Sequence, residues 1–535
     1  MTVPELRPWR AAQPHVARAA GAVRPRLARA ARAAGPRLAR FARAAKPQLA
    51  RVTRPKTWQY TAGAATAGLA LAAGVVTAAG PWDSTGQRTA ERDRAAALER
   101  TGGVDHGRGS GGSGTTSGPP RPAPSAGSVL AGLGGASGGV PGGVKAPPGG
   151  EALDDVLGPL LDDPAFGTRR AAAVVDLTTG KRLYGLGADA PLTPASTTKI
   201  ATAVAALAAL GPDHRLTTRT ALEADTGEVV LVGGGDPTLT AREDARGLAS
   251  LRTLAGKTAA ALKKRDVRKV TLSYDTTLYA GEETHPIGVN ENLARVTALM
   301  ADEARTDGST RGPAPRVPDP AADAARTFAG FLKQHGITAS SPGPSKATDR
   351  ADTLATVSSP PLAALVERML TNSDNDLAEA LARHTALATG ESADFEGVSA
   401  AVPARLKQLG LPVRGARFHD GSGLDRTDRI TADLLTALLA EAADPARPEL
   451  RPVLTGLPVA GFTGTLTSRS TEGAAGLVRA KTGTLTGVNT LAGTMVTAEG
   501  RLLAFAFLAS GTTDAWAAQT ALDRLATTLV AGSAA

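Results

Sequence analysis

None of the 535 residues is a cysteine. Disulfides, thiol nucleophiles and cysteine-ligated metals are excluded at once. Histidine is scarce too. The seven present show no HExxH or similar spacing, so neither a metal nor another cofactor is expected. Acidic residues are almost missing from one end. Residues 1–56 hold 14 Lys and Arg against one acid, Glu5. That segment carries +13 in a chain whose net charge is +10, so the remainder sums to about −3. The basicity is local and says little about the partner of the rest.

What is present starts with that arm. Residues 1–56 repeat an Ala/Arg/Pro theme, RPRLARAARAAGPRLARFARAAKPQLARVTRPK. Prolines interrupt every helical stretch, so a disordered or weakly helical basic arm is expected. Spaced arginines also suit phosphates, but the next stretch favours a membrane over nucleic acid. No charge occurs between Lys56 and Asp83. Residues 57–81 are long enough to span a bilayer, with Trp58, Tyr60 and Trp82 at the two ends. An uncleaved transmembrane helix with a cytoplasmic N-terminus is the reading adopted; a signal peptide cleaved near Val76-Thr77-Ala78 is its alternative. Residues 82–150 are Gly/Ser/Pro-rich and form a flexible linker. The rest of the chain would then lie on the outer side of the cell membrane.

The folded part, from about Glu151, is long enough to bury a large core. Ala171–Leu177 and 181–187 read as a strand pair around Thr178-Thr179-Gly180. Thr490–Ala498, Arg501–Ser510 and a helix from about Thr513 to Val530 repeat the texture at the other end. The expected class is α+β, with an antiparallel sheet flanked by helices over 151–214 and 351–535. Residues 215–350 change in character and read as an inserted α/β subdomain.

Three elements carry chemistry. The first is Pro194-Ala195-Ser196-Thr197-Thr198-Lys199, at the mouth of the apolar run Ile200–Leu210 that stops at Gly211-Pro212. Only Lys199, among 13 lysines, has a serine three places before it. In the first turn of a buried helix, positions i and i+3 share a face. A lysine desolvated there has a lowered pKa and can take the serine's proton. A capped helix start with a solvated lysine uses the same residues. The second is Thr371-Asn372-Ser373-Asp374-Asn375-Asp376, a polar loop between two helical stretches, where Ser373 can relay a proton and Asn375 can hold an amide. A plain helix–helix linker is the alternative. The third is Lys481-Thr482-Gly483-Thr484 on a strand near the terminal hairpin. Lys481 and Thr482 offer a cation and a hydroxyl, Gly483 admits a close backbone, and the Thr484 N–H is free for an oxyanion. A surface strand lysine is the plain reading.

Each element is weak alone. SxxK, SxN and KTG in this order belong to the penicillin-recognising serine enzymes. More narrowly, the chain resembles the D-alanyl-D-alanine carboxypeptidase/endopeptidase family of class C low-molecular-mass penicillin-binding proteins. That likeness rests on Gly234-Gly235-Asp236-Pro237-Thr238-Leu239, on Ser373-Asp374-Asn375 with Ala378-Glu379, on Asp420-Gly421-Ser422-Gly423-Leu424, and on Leu457-Pro458-Val459-Ala460-Gly461 with Gly464-Thr465-Leu466. It covers about 165–530. It implies a β-lactamase/transpeptidase-like domain acting on peptidoglycan stem peptides and inhibited by β-lactams. Ser196 would be the nucleophile, Lys199 its base and Ser373 the proton shuttle. Asn375 would bind the acyl-chain amide, Lys481 and Thr482 the terminal carboxylate, and the N–H groups of Ser196 and Thr484 the oxyanion. The insert is shorter than the two nested domains the family often carries, which implies one present and one reduced. A membrane-tethered β-lactamase-like hydrolase and a non-catalytic wall- or β-lactam-binding module are the rivals.

Overall fold

The computed structural model describes residues 150–469 and 473–531. The basic arm, the expected membrane span at 57–81 and the linker before Gly150 lie outside them. Among the described residues no helix is long and apolar enough to cross a membrane.

Helix α1 (Gly150–Leu161) precedes the hairpin β1 (Arg169–Asp176) and β2 (Arg182–Leu186), then a 3-10 turn at Ala195–Thr197 and helix α2 (Thr198–Leu210). The insert follows: β3 (Thr217–Leu222), β4 (Val229–Val232), α3 (Leu251–Lys263), β5 (Lys269–Val270), β6 (Leu272–Asp275), α4 (Pro320–Gln334), β7 (Thr338–Ala339), β8 (Gly343–Pro344) and β9 (Asp352–Ser358). The chain then returns through α5 (Leu362–Asn372), α6 (Asn375–Thr389), α7 (Phe395–Gln408), α8 (Ala432–Ala443) and α9 (Arg451–Thr455). It closes with β10 (Val478–Leu485), β11 (Val488–Val496), β12 (Leu502–Ser510) and α10 (Ala515–Ala531).

The main sheet runs β10-β11-β12-β1-β2, antiparallel throughout. Its chain ends meet in the middle, where Arg169–Asp176 pairs with Leu503–Ser510. Side chains alternate faces with period two, and here both faces are buried. Ala171 and Ala173 of β1 join one core, with Ile200, Val204 and Leu381. Ala172 and Val174 join the other, with Leu157, Leu522 and Leu525. That is a three-layer α+β fold with α2, α5, α6 and α8 on one side and α1 and α10 on the other. Helix α2 has every residue from Thr198 to Leu207 buried. An all-round apolar helix belongs in the middle of a core, and its alanines let neighbouring helices approach.

The insert has its own core around Phe328, Leu254 and Leu272. Its sheet runs β8-β6-β4-β3-β9 and is mixed: β3 is antiparallel to β4 and β9, while β4, β6 and β8 are parallel. Its last strand, β9, ends at Ser358, past the 215–350 expected for the insert. Between β6 and α4 lies an irregular stretch that folds back onto the main domain. It contains a turn at Asp302–Ala304 with φ of 51°, 54° and 56°. Three consecutive left-handed residues without glycine are costly, and such strain gathers at functional sites.

Candidate active site

Ser196 lies in the 3-10 turn just ahead of α2, not in its first α-turn as expected. The residue before it, Ala195, has φ of +49°, a left-handed conformation that an alanine adopts only when its surroundings enforce it. Two glycines make room for that turn. A Cβ on Gly423 would stand 2.0 Å from the Ala195 carbonyl oxygen. A Cβ on Gly483 would stand 2.7 Å from the Pro194 oxygen and 2.1 Å from Thr490 Oγ1. The space where a Gly483 side chain would stand is thus taken by the serine turn and Thr490.

Lys199 is completely buried. Its Nζ lies 2.6 Å from the Ser422 carbonyl, 2.7 Å from Asn375 Oδ1 and 3.1 Å from Ser196 Oγ. A neutral amine has two hydrogens and one lone pair. The carbonyl and the amide oxygen can only accept, so they take the two hydrogens and the lone pair faces the serine hydroxyl. Burial pushes Lys199 down to about 8, against the opposing pull of Asp420, Glu379, Asp374 and Asp376.

Ser373 ends α5 in the left-handed region, φ 57° and ψ 41°. Asp374 caps the next helix by accepting from the Leu377 N–H at 3.0 Å. Two abutting helix ends thus fix the loop. The Asn375 amide faces inward: Oδ1 accepts from Lys199, and Nδ2 donates to the Asn292 carbonyl of the insert at 2.8 Å. A substrate amide at Asn375 would have to replace that bond.

Strand β10 is the sheet edge. The Ala480 N–H donates to the Pro458 carbonyl, on the side away from β11. The register to β11 is unbroken from Val478 to Leu485, so by alternation the Thr482 and Thr484 N–H groups point to the same free edge. Lys481, in contrast, is fully buried and sits below the cleft. Its Nζ donates to Ser373 Oγ at 2.9 Å and to the Thr482 carbonyl at 2.7 Å. Burial pushes its pKa well below the usual lysine value, helped by the Lys199 and Arg469 charges. The expected direct grip of Lys481 on a carboxylate is corrected accordingly. The hydroxyls of Thr482 and Thr465, 2.9 Å apart, face the cleft in its place, with Lys481 behind Thr482.

Ser196, Ser373, Asn375, Thr465, Thr482 and Thr484 line one cleft of about 300 Å³. Residues that sequence reasoning gave no role complete it. The Ser422 carbonyl and Asn292 orient the base and the amide. The Asp420–Leu424 stretch was conspicuous in the sequence, but only as a likeness. Beneath the second motif, Glu303, Asp374 and Asp376 converge. They are compensated by Arg305 (2.7 Å to Glu303), Arg316 (2.9 Å to Asp376) and Arg368. Three guanidinium groups already satisfy these carboxylates, so the cluster is an ion-pair network rather than a metal cradle.

A serine with a buried lysine base, a second serine–lysine pair and a strand-edge amide define a serine acyl-transfer site on a transpeptidase/β-lactamase-like fold. The D-Ala-D-Ala carboxypeptidase 3 (S13) family matches residues 153–311 and 289–529, and the chain belongs to that family. It is 35% identical over 395 residues to carboxypeptidase DacB of Mycolicibacterium smegmatis, covering 70% of this chain and 83% of that one. It is 28% identical to a D-alanyl-D-alanine carboxypeptidase of an Actinomadura species, over 67% of this chain and 81% of the other. The fold is shared with penicillin-binding protein 4 of Haemophilus influenzae, with a TM-score of 0.57 at 21% identity over 69% of this chain and 98% of that one.

Proposed function

We propose that this protein is a serine-type D-Ala-D-Ala carboxypeptidase acting on peptidoglycan stem peptides, with endopeptidase cleavage of cross-links as the related activity. The observation that carries this reading is Lys199 Nζ at 3.1 Å from Ser196 Oγ, with two other partners that can only accept, so that in the neutral amine the lone pair faces Ser196. Ser196 Oγ attacks the carbonyl of the terminal D-Ala-D-Ala bond while its proton passes to Lys199 Nζ. The N–H groups of Ser196 and Thr484 take the developing oxyanion, an arrangement that supplies a large share of such rate enhancements. Thr482 and Thr465, backed by Lys481, hold the terminal carboxylate. The tetrahedral species collapses as Ser373 Oγ hands its proton to the departing D-alanine amine and takes in exchange the proton that Lys199 removed from Ser196, which leaves both side chains as they began. Water then attacks the ester, freeing the shortened peptide and Ser196. β-Lactams mimic the dipeptide and acylate the same oxygen.

The β-lactamase rival needs a carboxylate at the deacylating water. Glu379, the candidate just past the second motif, is fully buried behind Lys199 and held by the Gly421 and Ser422 N–H groups at 3.1 and 3.0 Å. That position favours slow deacylation. The charge-free stretch 57–81 and its arginine-rich flank support a membrane tether, with the catalytic unit in the wall. Mass spectrometry after incubation with benzylpenicillin tests the main reading. A stable adduct on the wild type and none on Ser196→Ala is expected. No adduct and no drug hydrolysis would sink it; rapid hydrolysis without an adduct would favour the β-lactamase.

A further inference from the structure

Among the buried polar side chains of the insert that the chemistry above leaves unused is His285. His285 stands in the irregular stretch between β6 and α4, yet its side chain is only 2% exposed. Its Nε2 lies 2.9 Å from Asp420 Oδ2, in a carboxylate with no exposure at all. Its Nδ1 accepts the Ile287 N–H at 3.2 Å. A ring nitrogen that accepts carries no proton, so Nε2 carries it and donates to Asp420. The ring is also held edge-on to Phe395, with centroids 5.3 Å apart.

Asp420 is the knot of a tight loop. It accepts from Ser422 Oγ at 3.0 Å, from the Gly423 N–H at 2.6 Å and from the Asp425 N–H at 2.8 Å. The same loop points the Ser422 carbonyl at Lys199 Nζ. His285, Asp420, the Ser422 carbonyl and Lys199 therefore form one continuous chain, reaching from the inserted subdomain to the base. We propose that His285 is a positioning residue: through Asp420 and the Ser422 carbonyl it holds the Lys199 amine with its lone pair on Ser196. This rests on the reading that Ser196 is acylated with Lys199 as base.

The groups around the imidazole are few. Asp420 and Asp425 face it from the loop and Glu379 from α6, where Arg383 pairs with Glu379 at 3.5 Å and stacks over Phe395 at 4.3 Å. Burial lowers the His285 pKa, but the bond to Asp420 and the charges of Glu379, Asp420 and Asp425 outweigh it, and the net direction is up. A carbonyl stabilises an ammonium more than an amine. If Ser422 draws back, the ascending limb of the acylation profile should move to lower pH while the plateau rate falls. A merely destabilised fold would lower the amount of active protein and leave that limb in place.

The test is benzylpenicillin acylation of the full-length chain, followed by stopped reaction and mass spectrometry from pH 6 to pH 10. The wild type is compared with His285→Leu, His285→Gln and His285→Asn. The expected result for His285→Leu is an unchanged initial binding constant, an acylation rate constant down roughly ten- to a hundredfold, and a limb shifted to lower pH. His285→Gln carries its amide N–H where Nε2 stood and should recover most of the rate. His285→Asn presents it one bond short and should not. If His285→Leu fails to fold, the Gln and Asn pair decides the question. Equal rates for that pair, or a leucine variant that matches the wild type in rate and profile, would overturn the proposal. A wild-type chain that is never acylated would sink the functional reading itself, and the positioning role with it.

Discussion

Lys199 is the residue on which the chemistry turns, because its protonation state decides whether Ser196 has a base. Burial lowers its pKa to about 8, so at neutral pH a minority of molecules carries the free amine. The acylation rate should rise as pH climbs through about 8 and level off above it, once the amine is neutral. Lys199→Arg keeps a cation in the pocket but cannot lose its proton. We expect it to bind β-lactam with little change and to acylate roughly a hundred- to ten-thousandfold more slowly, the usual worth of a positioned base. Parallel measurement of the acylation rate constant and the initial binding constant checks this; a variant that loses binding instead would make Lys199 an anion-binding residue. Lys481 is lowered by the same burial and by the Lys199 charge, so the two ammonium groups discourage each other.

At the scale of elements, the serine turn is held in shape by its neighbours. Gly423 has φ of +80°, and a Cβ there would collide with the Ala195 oxygen. Gly423→Ala should cost about 1–3 kcal/mol of stability, from the left-handed backbone and the displaced turn together. Because the displaced atom adjoins Ser196, acylation should fall further than stability does. Chemical denaturation beside acylation kinetics separates the two; an alanine variant with wild-type kinetics would show that the turn tolerates the shift. Much of this layer was legible in the sequence. Both terminal hairpins, the apolar α2 run and the three polar motifs are local patterns, and local patterns survive translation into structure. The 3-10 start at Ser196 was not legible, because its left-handed Ala195 packs against Gly423 and Gly483, both more than two hundred residues further along the chain. Nor were Asn292, His285 and Glu303. They lie in a stretch without periodicity, and only tertiary contact gives them meaning. The motif made Lys481 conspicuous in the sequence, but its burial and its bond to Ser373 at the end of α5 come from tertiary contact alone.

Across the whole molecule, the insert and the main domain meet through buried polar groups rather than an oily seam. His384 of α6 is one of them. It lies between His214, at 6.2 Å between ring centroids, and Tyr279 of the insert, at 6.0 Å. A Cβ on Gly235, in the Gly-Gly-Asp-Pro turn, would stand 2.5 Å from its Nε2. Burial, with the nearby His214, lowers its pKa to about 4. An unfolded chain would protonate this histidine near its ordinary value of 6.5. Between those two values the unfolded state binds the extra proton and the native state does not, so stability is lost as pH falls from about 6.5 towards 4. The full effect is on the order of 3 kcal/mol. Asp236 in the same turn is raised to about 6 by burial and pulls the opposite way, since the native state takes its proton first. The informative quantity is therefore a difference. Denaturant unfolding of the wild type and of His384→Leu at pH 7 and at pH 4.5 should show the wild type losing more stability on acidification than the variant does. Parallel curves for the two proteins would mean that His384 is solvated or already charged in the native state. In that case the junction would be wetter and looser than its packing shows, and the hold of the insert on Asn375 and Asp420 would weaken with it.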